Sequence, residues 1–169
     1  MIINSINMPN FINSEFSENP HRLANKQLLI NLQKYRDYID MPFVPSPVSG
    51  ALARSALPGN NDFSLHVVFS DSSGNIIRKS KAIDGFPVGD IFKAWIIAQQ
   101  SGLWGGMGIY FDTKLKNNQL PMLHLDLRKN PLIWFRNDHN YCYPDSKDFY
   151  KELLNLFFIH RNDYKKVFK

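Results

Sequence analysis

The stretch PMLHLDLRKNPLIWF, residues 121–135, decides how the chain is read. At the two-residue period of a strand, Leu123, Leu125 and Leu127 point one way and His124, Asp126 and Arg128 the other. A row of leucines reads as a core face. An imidazole, a carboxylate and a guanidinium in a row opposite are either a solvated sheet face or the wall of a site. The choice turns on which other residues of the chain can meet His124.

With 169 residues the chain has the length of one domain, enough for one good core. A hydrophobic fraction of 44% and an aromatic fraction of 14% fit a folded globule and argue against disorder. The net charge of +5 and a pI near 9.3 suit an anionic partner such as cell-wall polymer, membrane surface or nucleic acid. No Lys/Arg block and no basic-aromatic recognition motif stands out, so nucleic acid is not the expected partner. Cys142 is the only cysteine, which rules out an intrachain disulfide and a thiolate metal cluster. Between Tyr141 and Tyr143 it reads as a packed small residue. The opening MIINSINMPNFINSEF has no basic region followed by an unbroken apolar run, so no secretory signal is expected. No run of eighteen apolar residues exists, so no membrane span is expected either. The cytoplasm of the producing cell is the expected location, with something else carrying the protein out if it acts beyond.

Residues 1–19 are polar, asparagine-rich and aperiodic and read as an N-terminal arm; 20–169 read as a single domain. Asn19-Pro20 suits the start of a helix over about 20–39, with Leu28, Leu32, Tyr35 and Ile39 on one face. Three prolines and a glycine over 41–50 forbid its continuation and predict extended backbone with turns. FSLHVVF (63–69) and NIIRKSKAID (75–84) read as strands returning through the DSSG turn. A second helix is predicted from Asp90 to Ser101, burying Ile91, Ala94, Trp95 and Ala98. Strands near 107–111, 121–127 and 131–135 follow. A last helix after Asp145-Ser146 carries the stripe Phe149, Leu153, Leu156 and Phe157. The order predicts an α+β domain with a small, mostly antiparallel sheet and about three helices.

Of the five histidines, His21, His139 and His160 have polar or charged neighbours and read as solvent-facing. His66 and His124 lie inside apolar strands, where each taken alone reads as a satisfied core histidine. Asp84 ends the apolar AID, where a carboxylate is unfavourable unless it is capped, paired or bound to a metal. Two imidazoles and one carboxylate suit zinc, with a fourth position open to water. Such a site acidifies water to a pKa near ~7 and polarises a carbonyl, the requirements of amide hydrolysis. Arg54 is a candidate for a substrate carboxylate or an oxyanion, and Ser64 for binding substrate or a neighbouring ligand. Asp126 is either a proton acceptor and donor in the reaction or a partner that orients His124 or Arg128. Glycines 102, 105, 106 and 108 are followed by no Gly-Lys-Ser/Thr and read as a tight turn into a strand.

SPVSGALARS (46–55), SLH (64–66), KAID (81–84), GLWGGMGIYFD (102–112) and PMLHLDLR (121–128), with Trp134 close behind, resemble the zinc D-Ala-D-Ala peptidases. That family includes phage endolysins and virion-associated proteins and shares its metal-site plan with lysostaphin-type enzymes and the hedgehog domain. The resemblance runs over about residues 28–135. It implies His66, Asp84 and His124 as zinc ligands, Arg54 as the arginine ahead of the first ligand, and peptidoglycan peptide stems as substrate. It also implies delivery to the wall after release or within a virion, beside other virion proteins. Pro121 and Met122 stand where members carry a carboxylate or a histidine as base, which makes Asp126 the substitute candidate. The same departure keeps a second expectation open, a non-catalytic structural or binding module of a phage tail or baseplate.

Overall fold

The computed structural model describes residues 6–56 and 64–168. Two short helices, α1 (Pro20–Leu23) and α2 (Lys26–Ile39), stand where one helix over 20–39 was predicted. The break is made at Ala24, which forms a β-bridge with Ser80, and at Asn25, whose N–H donates to the Ser80 carbonyl at 2.8 Å. The Asn25 side chain then accepts from the Gln27 N–H and caps α2, as asparagine does well. The predicted apolar face of α2 is buried, and Tyr35 donates its buried hydroxyl to the Ala94 carbonyl at 2.8 Å.

Three strands follow: β1 (Phe43–Pro45), β2 (Arg54–Ala56) and β3 (Val67–Ser70). The predicted return strand divides into β4 (Ile76–Arg78) and β5 (Ala82–Pro87), which belong to different sheets. Ser80 sits at the division, fully buried, with its hydroxyl donating to the Leu52 carbonyl at 2.5 Å. Helix α3 (Ile91–Gln100) starts at Asp90 as predicted, with the Asp90 carboxylate accepting from Phe92 N–H. Then come β6 (Gly106–Tyr110), the small hairpin β7 (Lys114–Leu115) and β8 (Asn118–Gln119), β9 (Met122–Asp126), β10 (Leu132–Asn137) and β11 (Asn140–Cys142). Helices α4 (Phe149–His160) and α5 (Tyr164–Val167) end the chain.

The protein is α+β, but its main sheet is not the small, mostly antiparallel one predicted: it is larger and mixed. Six strands run in the order β1-β5-β9-β6-β10-β11. Strand β10 does not pair with the preceding β9; it crosses to the far side of β6 and runs parallel to it. The crossing passes over Gly105, where any Cβ would strike the Arg128 carbonyl, so only glycine admits it. A separate sheet, β2-β3-β4, carries a parallel β2/β3 pair and the antiparallel hairpin through DSSG.

Odd-numbered residues of the central strands, among them Ile83, Leu123, Leu125, Ile109 and Phe135, are buried in one cluster with the apolar faces of α2, α3 and α4. Burial of each such side chain contributes about 1.5–3 kcal/mol, so this face fixes the strand register. Met8, Phe11 and Phe16, from the stretch read as an arm, join the same cluster. Even-numbered residues of the same strands face the other way: Asp84 and His124 meet His66 beside the smaller sheet, while Phe86 and Met122 pack with Leu115 and Leu120 in a second apolar cluster. Among the described residues, no helix is long and apolar enough to cross a membrane.

Candidate metal centre

Strand β9 is the second interior strand from β1 and is buried on both faces, so His124 and Asp126 form no solvated sheet face. The pairing sets Asp84 of β5 and Gly108 of β6 directly opposite His124, and Trp134 opposite Gly108. One row across four strands therefore reads Asp84, His124, Gly108, Trp134. A Cβ at Gly108 would collide with the Trp134 indole; its absence lets that ring close to 5.1 Å from the His124 ring. Gly106 and Gly108 belong to the strand face beneath the site, whereas Gly102, with φ 65°, and Gly105 precede β6 in the predicted turn. Gly108→Ala is expected to cost about 1–3 kcal/mol by overpacking, read as a lower urea midpoint. An unchanged midpoint would contradict this packing.

His66 comes from the other sheet. It closes a turn before β3, with the Val67 N–H donating to the Ser64 carbonyl at 3.1 Å, instead of lying within a strand over 63–69. Phe63, the first residue of that predicted strand, lies outside the described residues. The turn is pinned from two sides: Arg54 N–H donates to the His66 carbonyl at 2.9 Å and Lys81 N–H to the Leu65 carbonyl at 2.7 Å. The Asp84 backbone is fixed in turn by Ser46 and Ala51 of the proline-rich loop, each at 2.9 Å. That loop is held by Glu18, whose carboxylate accepts from the N–H groups of Gly50, Leu52 and Ala53 at 2.6–3.3 Å.

The three residues converge on one point. His124 Nδ1 lies 2.8 Å from Asp84 Oδ1 and 3.2 Å from His66 Nε2, and His66 Nε2 lies 3.5 Å from Asp84 Oδ1. Together they form a group that could hold a metal ion. On its far side, His124 Nε2 meets Asp126 Oδ2 at 3.0 Å. A proton on Nε2, donated to Asp126, leaves the Nδ1 lone pair facing His66 and Asp84. Asp126 is fully buried and clamped by Arg128, which donates from Nη2 at 2.6 Å, from Nε at 3.0 Å and from its backbone N–H at 2.9 Å. Its place behind the imidazole suits a residue that orients His124; it is not among the residues that line the cleft over the three donors. Among the described residues, His66 Nδ1 is buried with no hydrogen-bond partner, so His124 is the better oriented of the two imidazoles.

A cleft of about 560 Å³ opens over the group and is lined by all three residues together with Arg54 and Ser64. Arg54 is exposed and its Nη2 donates to Ser64 Oγ at 2.7 Å. Sequence reasoning missed the opposite wall. Tyr110, Arg136 and Tyr141 are adjacent in the pairing of β6, β10 and β11, and all three line the cleft. The Arg136 guanidinium lies 4.4 Å over the Tyr110 ring and 5.8 Å from that of Tyr141, while Asp112 binds it through both carboxylate oxygens. The alternation of GMGIY could have placed Tyr110 on the face of Gly108, but nothing local announces the parallel partner that brings Arg136. His139 is exposed as expected. His160 is not: its Nδ1 meets Asp163 at 2.7 Å and its ring packs 5.5 Å from Phe111.

Without a metal the cluster is held by protons. Burial opposes a charged His124, but hydrogen bonds to Asp126 and Asp84 and the field of both carboxylates prevail and raise it to about 9. Burial likewise opposes the carboxylate charges. Hydrogen bonds from His124 and His66 outweigh it at Asp84, which falls well below the usual range, and those from His124 and Arg128 bring Asp126 to about 2. Burial also pushes the Tyr110 phenol well above its ordinary value, with the Asp84 charge adding to it.

The sign follows directly. A histidine raised from about 6.5 stabilises the metal-free fold fully below pH ~6.5 and loses that contribution as pH rises through about 9. The metal-free thermal midpoint should therefore fall between pH 6 and 9, by on the order of 2 kcal/mol or about 4–8 °C. Metal uptake at pH 7 should release about one proton, with apparent affinity rising about tenfold per pH unit towards 9. Calorimetry in buffers of different ionisation enthalpy checks the proton count; uptake without proton release would contradict the assignment.

Comparison of the chain with protein-family models, with curated proteins and with solved structures finds no match.

Proposed function

We propose that this chain is a zinc-dependent peptidase that hydrolyses peptide bonds of bacterial peptidoglycan, in the manner of the D-Ala-D-Ala peptidases carried by phage endolysins and virions. The donor triangle carries the reading. Its edges of 2.8, 3.2 and 3.5 Å bracket the roughly 3.3 Å between ligands of a tetrahedral zinc with bonds of about 2.0–2.1 Å. Two imidazole nitrogens and one carboxylate oxygen are zinc donors, and all three residues line the cleft from which a substrate would reach them. Bound there, zinc would polarise the scissile carbonyl and lower the pKa of the attacking water to near ~7.

The protein's own groups supply the rest. Asp126 holds the His124 ring and its tautomer. Arg54, braced by Ser64, offers a guanidinium to a substrate carboxylate, and Lys114 adds a second cation to the cleft lining. Peptide stems, which carry free carboxylates, match that charge. The protein would act on the wall after release from the producing cell or as part of a virion.

A second reading, a metal-binding module without catalysis, is favoured by one observation. Among the described residues, the only carboxylate in the cleft is Asp84, itself a donor. Both readings are tested by incubating zinc-loaded protein with purified cell walls and measuring newly freed amino groups. Release by the wild type and none by His66→Ala supports the peptidase. Equal release by both removes the zinc mechanism, and wall binding without release favours the module.

A further inference from the structure

The cleft contains, among the described residues, no carboxylate or imidazole other than the three donors. The Thr113 hydroxyl donates to the backbone carbonyls of Tyr110 and Leu120, and the Ser64 hydroxyl accepts from Arg54. We infer that the Tyr110 hydroxyl is the hydrogen-bond donor to the substrate's carbonyl oxygen as negative charge develops on it. The inference rests on the peptidase reading and adds a catalytic residue to it.

The placement of the phenol carries the argument. Tyr110 lies two residues beyond Gly108 on β6 and so shares its face, and Gly108 is the strand partner of His124. The Tyr110 and His124 ring centroids are 6.3 Å apart. The nitrogen-bearing edge of the Trp134 indole covers the bare Cα of Gly108, on the strand face that Tyr110 shares. The Tyr110 side chain therefore stands beside the row that contains His124 and Asp84, in the cleft that all three line.

The ring is also held still. Arg136 covers one face at 4.4 Å and is itself fixed by Asp112, while Tyr141 packs edge-on at 6.2 Å. A donor held before the charge develops needs no reorganisation during the reaction, which is the basis of oxyanion stabilisation. Arg54, on the smaller sheet, can then hold a substrate carboxylate while Tyr110, on the main sheet, serves the reacting carbonyl.

The test compares zinc-loaded wild type with Tyr110→Phe, which keeps the ring and its contacts with Arg136 and Tyr141. Calorimetry measures binding of a phosphinate pseudodipeptide, a tetrahedral anion that mimics the reacting carbonyl, beside zinc content and cell-wall hydrolysis. The expected result is unchanged zinc content, phosphinate binding weaker by about a hundredfold, and hydrolysis lower by a similar factor in kcat. Equal phosphinate affinity at equal zinc content overturns the role of Tyr110 and leaves the peptidase reading standing. A wild type that takes up zinc but neither binds the phosphinate nor releases amino groups from walls overturns the peptidase reading, and the role of Tyr110 with it.

Discussion

His124→Ala is expected to raise the dissociation constant for zinc by at least about two orders of magnitude and to destabilise the metal-free protein as well. The first effect is the loss of one donor. Four-donor structural zinc sites bind with about 10–16 kcal/mol, or roughly 3 kcal/mol per donor, equivalent to about a hundredfold in Kd. The second effect arises because His124 bridges two carboxylates, at 2.8 Å from Asp84 and 3.0 Å from Asp126. Truncation leaves Asp126, fully buried, dependent on Arg128 alone, and leaves Asp84 only the longer contact with His66 at 3.5 Å. Removing one partner from a buried charged pair costs about 3–5 kcal/mol, and the Trp134 ring also loses its neighbour. A chelator-competition titration and a urea melt of the metal-free protein read the two effects separately. Zinc affinity equal to that of the wild type would remove His124 from the ligand set.

Asp126→Asn is expected to weaken zinc binding about 10–100-fold without touching a ligand. The carboxylate accepts the Nε2 proton and so commits the Nδ1 lone pair to the metal side. An amide can instead turn its NH2 towards Nε2, which places the proton on Nδ1 and blocks the donor. The substitution also removes the partner of Arg128, whose guanidinium otherwise rests 4.8 Å over the Trp134 ring. If Asp126 instead exchanged protons with the substrate, the variant would lose activity at full zinc occupancy. Measuring zinc affinity and wall hydrolysis on the same preparation therefore separates orientation from proton transfer; unchanged affinity with lost hydrolysis would contradict the positioning role.

Much of the site was readable because strand alternation is a local property. MLHLD declares two faces by itself, and a carboxylate closing AID needs a partner wherever the strand lies. The helices at 91–100 and 149–160 were equally legible, since an apolar stripe and a cap suffice to place them. What the sequence did not declare depends on pairing between distant segments. Ser80 looks like any polar residue, yet its buried hydroxyl and its bridge to Ala24 split one predicted strand and one predicted helix. The glycines at 105, 106 and 108 read as a turn because their cause lies elsewhere: Arg128, Asp126 and Trp134 occupy the space a Cβ would need. Arg136 and Tyr110 meet only because β10 runs parallel to β6, a non-local pairing that periodicity does not encode.

His66, Asp84 and His124 are proposed to hold one metal ion in the cleft floor. Elemental analysis of purified wild type and Asp84→Ala, each reconstituted with zinc and then desalted, tests it most directly. Asp84 is the best choice for truncation because the Asp84→Ala change leaves both imidazoles in place and removes only the oxygen donor. One zinc per chain is expected in the wild type and none retained in the variant. Wild type that retains no zinc after reconstitution, or a variant that retains as much as the wild type, would contradict it.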